Sequence, residues 1–355
     1  MVAHAVQRTA GRESRAMKRR QLLAAAATLP WLPWAGAAAP TESLISRYGR
    51  AVKPNPQRVF AAGPPAAVLL AALVPDRLLG WPQNLPPEAR AMLAPELARL
   101  PSTGRLSGRG STVSIEALLA LQPDLIVDAG SVDEHHRSAA ERIARQTGIP
   151  YVLVDGRIGQ SAQQLRETAR LLGASARGDT LAAHADAVLA MAQQQREQPR
   201  AAPPRAYLAR GADGLETGWA GSINAELLAY AGAHNVATAA GASGVGRVSM
   251  EQLLAWNPDV IFTQQAGLAE RLRGNAGWRG INAVREGRVW QVPHLPFGWI
   301  DGPPGINRLL GLRWLLSVLY AQQPSAAAAE AEARAFYRLF YGTPDAAPLP
   351  AGALP

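Results

Sequence analysis

The chain has 355 residues, of which 48% are hydrophobic and 18% charged, a globular composition long enough for two domains. It contains no cysteine, which excludes disulfides, iron–sulfur clusters, cysteine-ligated zinc, a cysteine nucleophile and a lipid-modified N-terminal cysteine. Its formal charge is +9, but no run of Lys or Arg follows the N-terminal segment, so the charge gives no case for nucleic-acid binding.

The N-terminal segment has the organisation of an export signal. A Lys-Arg-Arg triplet at 18–20 precedes an apolar stretch that ends in small residues at 35–39, as in a secretory signal peptide. Two prolines within the stretch argue against a transmembrane anchor. The arginine pair resembles the twin-arginine export motif, and Met17 is an alternative start. We therefore expect a signal peptide over 1–39 and, without a lipidated cysteine, a soluble periplasmic product.

The next part of the chain alternates short apolar segments with helical patterns. In chain order, the predicted elements are a strand at 58–62, a helix at 66–73, a strand at 77–80, a helix at 134–146 and a strand at 151–154. The spacing Ser131-x-x-Glu134 predicts a capping box at the start of the second helix, and Gly148 predicts its end. Strands that alternate with helices indicate an α/β lobe with a largely parallel sheet.

An internal repeat connects this part to the second half. Residues 113–127 and 248–262 are identical at nine of fifteen positions, with an offset of 135 residues. In each copy a serine, Ser114 or Ser249, suits a helix N-cap, and a later proline ends the helix before a buried strand. A single repeat at this distance predicts two similar lobes and not a solenoid.

A helical stretch separates the two copies of the repeat. A helix at 163–172 precedes a longer one predicted at 179–198, whose apolar residues fall on one face. About twenty helical residues would span roughly 30 Å, which makes a stiff connection. Beyond it, strands are predicted at 205–209 and 288–292, and helices at 224–230 and 307–320.

The expected fold is α/β, with two Rossmann-like lobes of largely parallel sheets joined by a single long helix and a ligand cleft between them. Its expected divisions are the signal peptide at 1–39, an N-terminal lobe at 55–173, a linker helix at 174–202, a C-terminal lobe at 203–322, and a C-terminal helix with a Pro/Ala-rich tail at 323–355.

Several short motifs occur in a characteristic order. They are Arg58-Val-Phe with a following Gly63-Pro-Pro turn, the Ser-x-Glu and Pro-Asp units of both repeats, Gly232-Ala-His-Asn-Val236, and Val284-x-x-Gly287-Arg-Val-Trp. Together they resemble the helix-linked class of periplasmic substrate-binding proteins of ABC importers, over about residues 55–322. The resemblance implies a carrier of a ferric siderophore, haem, cobalamin or, in some members, molybdate or tungstate.

The resemblance also implies docking on an inner-membrane permease through one acidic residue of each lobe. Glu116 and Glu251 occupy the matching positions and are related by the repeat. Their place in the first turn of a helix equally suits capping. Many members carry Thr-Glu after the first strand, whereas this chain has Ala67 and Val68 there, so any role of that glutamate is absent.

Ligands of open α/β sheets bind beyond the carboxyl ends of the strands, so the loops there hold the candidate contacts. The glycine-rich loop at 104–110 carries Arg105 and Arg109, whose planar guanidinium groups suit carboxylates and oxyanions. Two solvated surface arginines are the alternative interpretation. No Lys-Ser/Thr follows the loop, so a phosphate loop is poorly supported.

A second loop, at 294–304, is dense in aromatic residues and proline. His294 suits contact with a metal centre, and Phe297 and Trp299 suit stacking on a flat ligand. The alternative is a rigid proline-cornered loop whose rings lie in the core. Trp81 and Trp219 are further candidates for ligand contact.

The sequence favours a carrier over an enzyme. The Asp133–His136 cluster does not indicate a metal site, because adjacent side chains of a helix do not face one another. Neither a Gly-x-Ser-x-Gly elbow nor a His-Glu-x-x-His pair is present. We expect no cofactor and a monomer that hands a metal chelate to a permease, with a metal oxyanion as the alternative ligand. A periplasmic enzyme without a recognisable motif is the alternative of another class.

Overall fold

The computed structural model describes residues 42–108, 111–199, 202–320 and 326–344. Within these ranges, the residues from Ser43 onward form one compact unit. Among the described helices, none is long and apolar enough to cross a membrane. The expected signal peptide and Arg109 lie outside the described residues.

The first lobe is built on a four-stranded sheet. Its elements are β1 (Ile45–Tyr48), β2 (Val59–Ala61), α1 (Pro64–Leu73), α2 (Pro87–Arg90), α3 (Pro95–Ala98), α4 (Ile115–Ala120), β3 (Leu125–Gly130), α5 (Glu134–Thr147), β4 (Tyr151–Asp155) and α6 (Ser161–Leu171). The strand order is β1-β4-β3-β2, and every pair is parallel except β1 with β4. The edge strand β1 was not anticipated from the sequence.

Two local predictions for this lobe are wrong. The strand expected at 77–80 is absent, because a 3₁₀ turn at Pro75–Arg77 precedes it and only Leu78 bridges to Val59. The helix α5 is capped by Asp133 and not by Ser131, since the Asp133 carboxylate accepts the backbone N–H of His136 at 3.0 Å. Its predicted end is confirmed, because Gly148 adopts the left-handed conformation with φ 68°.

One long helix, α7 (Ser175–Glu197), joins the lobes. It packs against α6 and buries Leu181, Ala185, Val188 and Ala192 on the face that the sequence predicted. The apolar spacing therefore determined which side of this helix enters the core.

The second lobe repeats the parallel plan. Its elements are β5 (Arg205–Leu208), β6 (Glu216–Gly218), α8 (Glu226–Tyr230), β7 (His234–Asn235), β8 (Val245–Arg247), α9 (Met250–Trp256), β9 (Val260–Thr263), α10 (Leu268–Gly274), α11 (Asn282–Arg285), β10 (Val289–Gln291) and α12 (Arg308–Tyr320). Its main sheet has the order β10-β9-β5-β7, all parallel, and β6 pairs with β8 in a separate antiparallel ribbon.

The repeat folds twice into the same unit. The hydroxyls of Ser114 and Ser249 accept the backbone N–H three residues later, each at 3.1 Å, which confirms both predicted N-caps. After each helix a residue takes the left-handed conformation, Gln122 with φ 49° and Asn257 with φ 40°. The strands β3 and β9 then lie at the centres of their sheets.

A continuous apolar core connects the two lobes. One buried cluster contains residues of α1, α7, β9 and α12 together with residues of a C-terminal helix, α13 (Ala326–Tyr341). The helix α13 returns to the first lobe, where it packs on α1 and the Thr343 hydroxyl donates to the carbonyl of Met92 at 2.6 Å. The lobes are thus held together by more than the linker helix.

Candidate functional site

A cavity of about 480 Å³ lies between the lobes. The first lobe contributes Pro64, Pro65, Gln83, Arg105, Ser107, Gly108, Asp128–Ser131 and His136, and the second contributes Arg210, Ile223, Asn224, Val245 and Asp301–Pro304. Several of these residues lie at the carboxyl end of a parallel strand or within three residues beyond it, namely of β2, β3 and β5. The cavity therefore lies beyond the carboxyl ends of the strands, where ligands of α/β sheets bind.

Two guanidinium groups reach the cavity from opposite lobes. Arg105 lies in the loop after Gly104, and Thr112 closes this loop by hydrogen bonds to the Arg105 backbone N–H at 3.1 Å and carbonyl at 2.8 Å. Arg210 follows β5, and its Nε donates to Glu216 at 3.2 Å. Arg210 also forms an ion pair with Asp301, which offsets its charge.

Hydrogen bonds connect the Arg105 loop to the residue that follows β2. The backbone N–H groups of Leu106 and Ser107 both donate to the carbonyl of Ala62, at 2.7 and 3.0 Å. The Ser107 hydroxyl donates to Asp128 at 2.9 Å, so its lone pairs remain for other donors. Arg105 is thereby carried by a loop with a defined backbone position.

A buried carboxylate forms part of the cavity wall. Asp128 ends the apolar run of β3, and it accepts the hydroxyl of Tyr151 at 3.0 Å and the backbone N–H of Ala129 at 2.9 Å in addition to Ser107. Burial raises the pKa of Asp128, although these three donors favour its ionised form. Burial likewise raises the pKa of Tyr151 well above its usual value.

On the opposite side, a polar network organises the loop at 298–304. Asp301 accepts the side-chain amide of Asn224 at 3.0 Å and the backbone N–H of Gly302 at 2.8 Å. Gln264, just after β9, accepts the backbone N–H groups of Ile300 and Asp301 at 2.6 and 3.0 Å. The loop therefore presents Asp301 and its neighbours to the cavity in one arrangement.

The rings expected to stack on a ligand lie elsewhere. Trp81 is 1% exposed and donates from its indole to the carbonyl of Leu97 at 2.9 Å. Phe297 packs on Trp81 with ring centroids 5.5 Å apart, and Trp299 donates to the hydroxyl of Tyr337 at 2.7 Å. Burying these large apolar rings in the core stabilises the fold. Their placement corresponds to the alternative stated from the sequence and does not support ligand stacking.

The remaining candidates are also placed away from the cavity or outside the described chain. Trp219 packs edge-to-face on Trp256, with ring centroids 6.3 Å apart, and both are partly buried against the core of the second lobe. His294 is half-buried, which lowers its pKa, and it is not among the lining residues. Arg109 is not described. Among the expected ligand contacts that fall within the described residues, only Arg105 lines the cavity.

Several residues that line the cavity were not singled out in the sequence as candidate ligand contacts. They are Ser107, Asp128, Arg210, Asn224 and Asp301. The available signal was positional: a polar residue at the carboxyl end of a buried strand marks the edge where ligands bind. Asp128 and Arg210 both have that position.

The described residues contain no group of three His, Asp or Glu side chains able to hold a metal ion. His136 lines the cavity, but its Nδ1 lies 2.7 Å from the capping carboxylate of Asp133.

In both repeats the glutamate of the first helical turn interacts with the start of its own helix. Glu251, like Glu116, is exposed, and hydrogen bonds at the helix start lower the pKa of both.

Each repeat also exposes a leucine three residues beyond its glutamate. Leu119 is 43% exposed and Leu254 is 40% exposed. The two helices α4 and α9 thus present the same acid and the same apolar side chain to solvent.

Comparison with known proteins relates the chain to a family of carriers. The family model described as periplasmic binding protein matches residues 70–294. The molybdate-binding protein MolA of Haemophilus influenzae is 28% identical over 277 residues, which are 71% of this chain and 75% of the relative.

Solved structures agree in fold. An ABC transporter solute binding protein from Sulfurospirillum deleyianum is 26% identical with a TM-score of 0.74, covering 83% of this chain and 92% of that one. The molybdate-bound structure of MolA has a TM-score of 0.66 at 24% identity, covering 84% and 96%. The vitamin B12 binding protein BtuF of Vibrio cholerae has a TM-score of 0.57 at 21% identity, covering 76% and 98%. The predicted helix-linked, two-lobed fold is confirmed.

Proposed function

The chain belongs to the periplasmic binding protein family, and on this basis we propose that it captures a small oxyanion of the molybdate type and delivers it to an ABC permease. Members of this family are solute-binding proteins of ABC transporters and not enzymes. The observation that carries the ligand proposal is the convergence of Arg105 and Arg210, from opposite lobes, on one cavity. Guanidinium groups bind oxyanions through charge-assisted hydrogen bonds.

Two further features support an oxyanion. The ten-residue helix α1 begins at the cavity with Pro64 and Pro65, so its positively polarised end faces the ligand. In the described part of the chain, no Phe, Tyr or Trp lines the cavity, which favours a compact polar ligand over a flat chelate. The relative MolA is named for binding molybdate.

A carboxylate-bearing metal chelate is the second candidate. It is favoured by the cavity volume of about 480 Å³, which falls in the range of about 300–1,000 Å³ typical of sites for organic ligands. Arg105 and Arg210 would then bind the carboxylates of the chelate.

Calorimetric titration of the mature protein tests the ligand proposal. Molybdate and tungstate are expected to bind with one-to-one stoichiometry, with sulfate as the control for a generic divalent anion. Native mass spectrometry with metal analysis of protein exported from its own host gives an independent result. An organic metal complex in the cavity, with no binding of molybdate or tungstate, would favour the chelate. Catalytic turnover without stoichiometric binding would contradict the carrier role.

For delivery, we propose that Glu116 and Glu251 dock on the two halves of a permease. Their support is the repeat, which gives both lobes an exposed acid with an exposed leucine beside it, Leu119 and Leu254. Two equivalent contacts suit a partner that also has two equivalent halves, with basic residues opposite the acids.

We further propose that residues 1–39 direct export of the protein. Mass analysis of the N-terminus of the mature protein tests this proposal.

A further inference from the structure

The side chain of Arg308 lies fully buried behind the cavity, 1% exposed. It stands at the start of α12, and its donors reach three separate segments. One nitrogen donates to the carbonyl of Ile223 at 2.9 Å, a second to the carbonyl of Gly156 at 2.6 Å, and Nε to the carbonyl of Gly305 at 3.1 Å. Gly156 follows the first-lobe strand β4, whereas Ile223 belongs to the second lobe.

Glu226 completes this contact from the second lobe. Its carboxylate accepts Arg308 at 2.7 Å and, with the same oxygen, the backbone N–H of Ile158 at 2.8 Å. An arginine at the start of α12 therefore donates to a first-lobe carbonyl, and a second-lobe carboxylate accepts a first-lobe N–H. The pair forms a polar fastening across the lobe boundary.

The fastening lies directly against the cavity wall. Gly156 donates its N–H to the carbonyl of Gly130 at 2.9 Å, and Gly130 and Ile223 both line the cavity. A Cβ on Gly156 would lie 2.8 Å from the Cα of Gly130 and 3.2 Å from Cδ1 of Ile223. The first-lobe and second-lobe walls therefore meet at a residue that has no room for a side chain.

A contribution to stability does not by itself explain a buried ion pair of Arg308 and Glu226 behind the cavity. A buried ion pair costs desolvation, and well-packed apolar residues of similar volume often stabilise a protein equally well or better. What such a pair supplies is one defined arrangement, because each donor needs its acceptor at hydrogen-bond distance. Here the acceptors belong to both lobes.

We propose that Arg308 and Glu226 are positioning residues for ligand capture. They fasten the second-lobe wall at Ile223 to Gly156, which is hydrogen-bonded to the first-lobe wall at Gly130, and so set the width of the cavity before the ligand arrives. The inference rests on the proposed function for its effect on binding, but the fastening itself can be measured without a ligand.

The test combines a distance between the lobes with an affinity. Because the chain has no cysteine, Arg142→Cys on the first lobe and Arg279→Cys on the second accept spin labels selectively. The variant Arg308→Leu/Glu226→Gln removes both charges and keeps an acceptor for the N–H of Ile158. Its distance distribution is expected to be broader than that of the spin-labelled protein with Arg308 and Glu226 intact. Its dissociation constant for molybdate is expected to be about 10-fold larger.

A second variant and a matched control separate positioning from stability. Gly156→Ala keeps every polar group and is expected to displace the mean distance and weaken molybdate binding by a similar factor. Arg313→Leu/Glu332→Gln removes an ion pair on the same helix α12, paired to α13 at 2.6 Å and away from the cavity, and is expected to change neither quantity.

Each outcome decides the inference. Folded Arg308→Leu/Glu226→Gln protein with an unchanged distance distribution and an unchanged dissociation constant would overturn it. If that variant does not fold, the same two unchanged quantities in Gly156→Ala would overturn it. If the unaltered protein binds neither molybdate nor tungstate, the proposed ligand fails, whereas the distance distributions still decide whether the fastening sets the cavity width.

Discussion

The two lobes share a repeated helix–strand unit but serve the cavity differently. In both, an aspartate at the start of the central strand, Asp124 or Asp259, accepts the backbone N–H of an arginine, Arg58 or Arg205, that opens the neighbouring strand. Each arginine side chain also donates to a carbonyl at the end of the helix that precedes the central strand. The scaffold below the cavity is thus constructed twice by the same local interactions.

At the other end of the central strands the lobes diverge. The apolar run of the first-lobe strand β3 is followed by Asp128, which lines the cavity itself. At the repeat-equivalent position the second lobe has Thr263, which is buried, and the following Gln264 holds the loop that carries Asp301. Repetition thus preserved the packing unit, while the residues near the carboxyl end of each strand took on separate tasks.

Truncating one buried leucine in each lobe tests whether the two scaffolds are equivalent. Leu118 and Leu253 are repeat-related and fully buried, so Leu118→Ala and Leu253→Ala are each expected to cost about 2–5 kcal/mol of unfolding free energy. The exposed neighbours Leu119→Ala and Leu254→Ala are the controls, with changes within about 0.5 kcal/mol. Urea unfolding measures all four. If one lobe tolerates its buried substitution, the scaffolds are not equivalent.

The next effect tests the difference at the cavity. Arg105→Ala is expected to weaken molybdate binding by roughly 10- to 100-fold, because a hydrogen bond to a charged group contributes about 1.5–3 kcal/mol. Arg210→Gln/Asp301→Asn is expected to have a smaller effect, since Asp301 already offsets the charge of Arg210. Calorimetry compares them with Arg142→Ala, an exposed arginine on α5. An equal loss in both lobes would contradict the assigned asymmetry.

A smaller effect is expected for docking, where the lobes again behave alike. Glu116→Gln and Glu251→Gln are each expected to slow delivery to a reconstituted permease by about 2- to 5-fold, which corresponds to the loss of about 0.5–1 kcal/mol from an exposed ion pair. The affinity for molybdate is the internal control and is expected to stay unchanged. Glu134→Gln, at an exposed helix start without a repeat partner, serves as the matched variant. Slower delivery in that variant too would argue against specific docking.

A weaker effect, confined to the first lobe, is expected from pH. Burial raises the folded-state pKa of Asp128, so the folded state binds its proton more readily than the unfolded state does. The stability of the native chain relative to Asp128→Asn is therefore expected to rise as the pH falls from neutral toward the ordinary pKa of aspartate. Thermal unfolding between pH 4 and 8 measures the difference. The second lobe has buried Thr263 at this position, so Thr263→Val is expected to show no such dependence on pH.

Much of the fold followed from short-range information in the sequence. The repeat predicted two related lobes, the serine caps and the later prolines predicted the limits of α4 and α9, and one-sided apolar spacing predicted the buried face of α7. These features depend on residues only a few positions apart, which is why the sequence alone determined them. The unexpected strand β1 depends instead on pairing with β4, about a hundred residues away.

Which side chains face the cavity was decided only by the tertiary structure. The rings of Phe297 and Trp299 suit a ligand and a core equally well, and the return of α13 placed aromatic partners such as Tyr341 and Tyr337 against them. Arg210 and Arg308 look alike in the sequence, yet one lines the cavity and the other lies buried behind it. The reason is physical: a residue's type sets which contacts it favours, whereas the packing of distant segments decides which of those contacts are available.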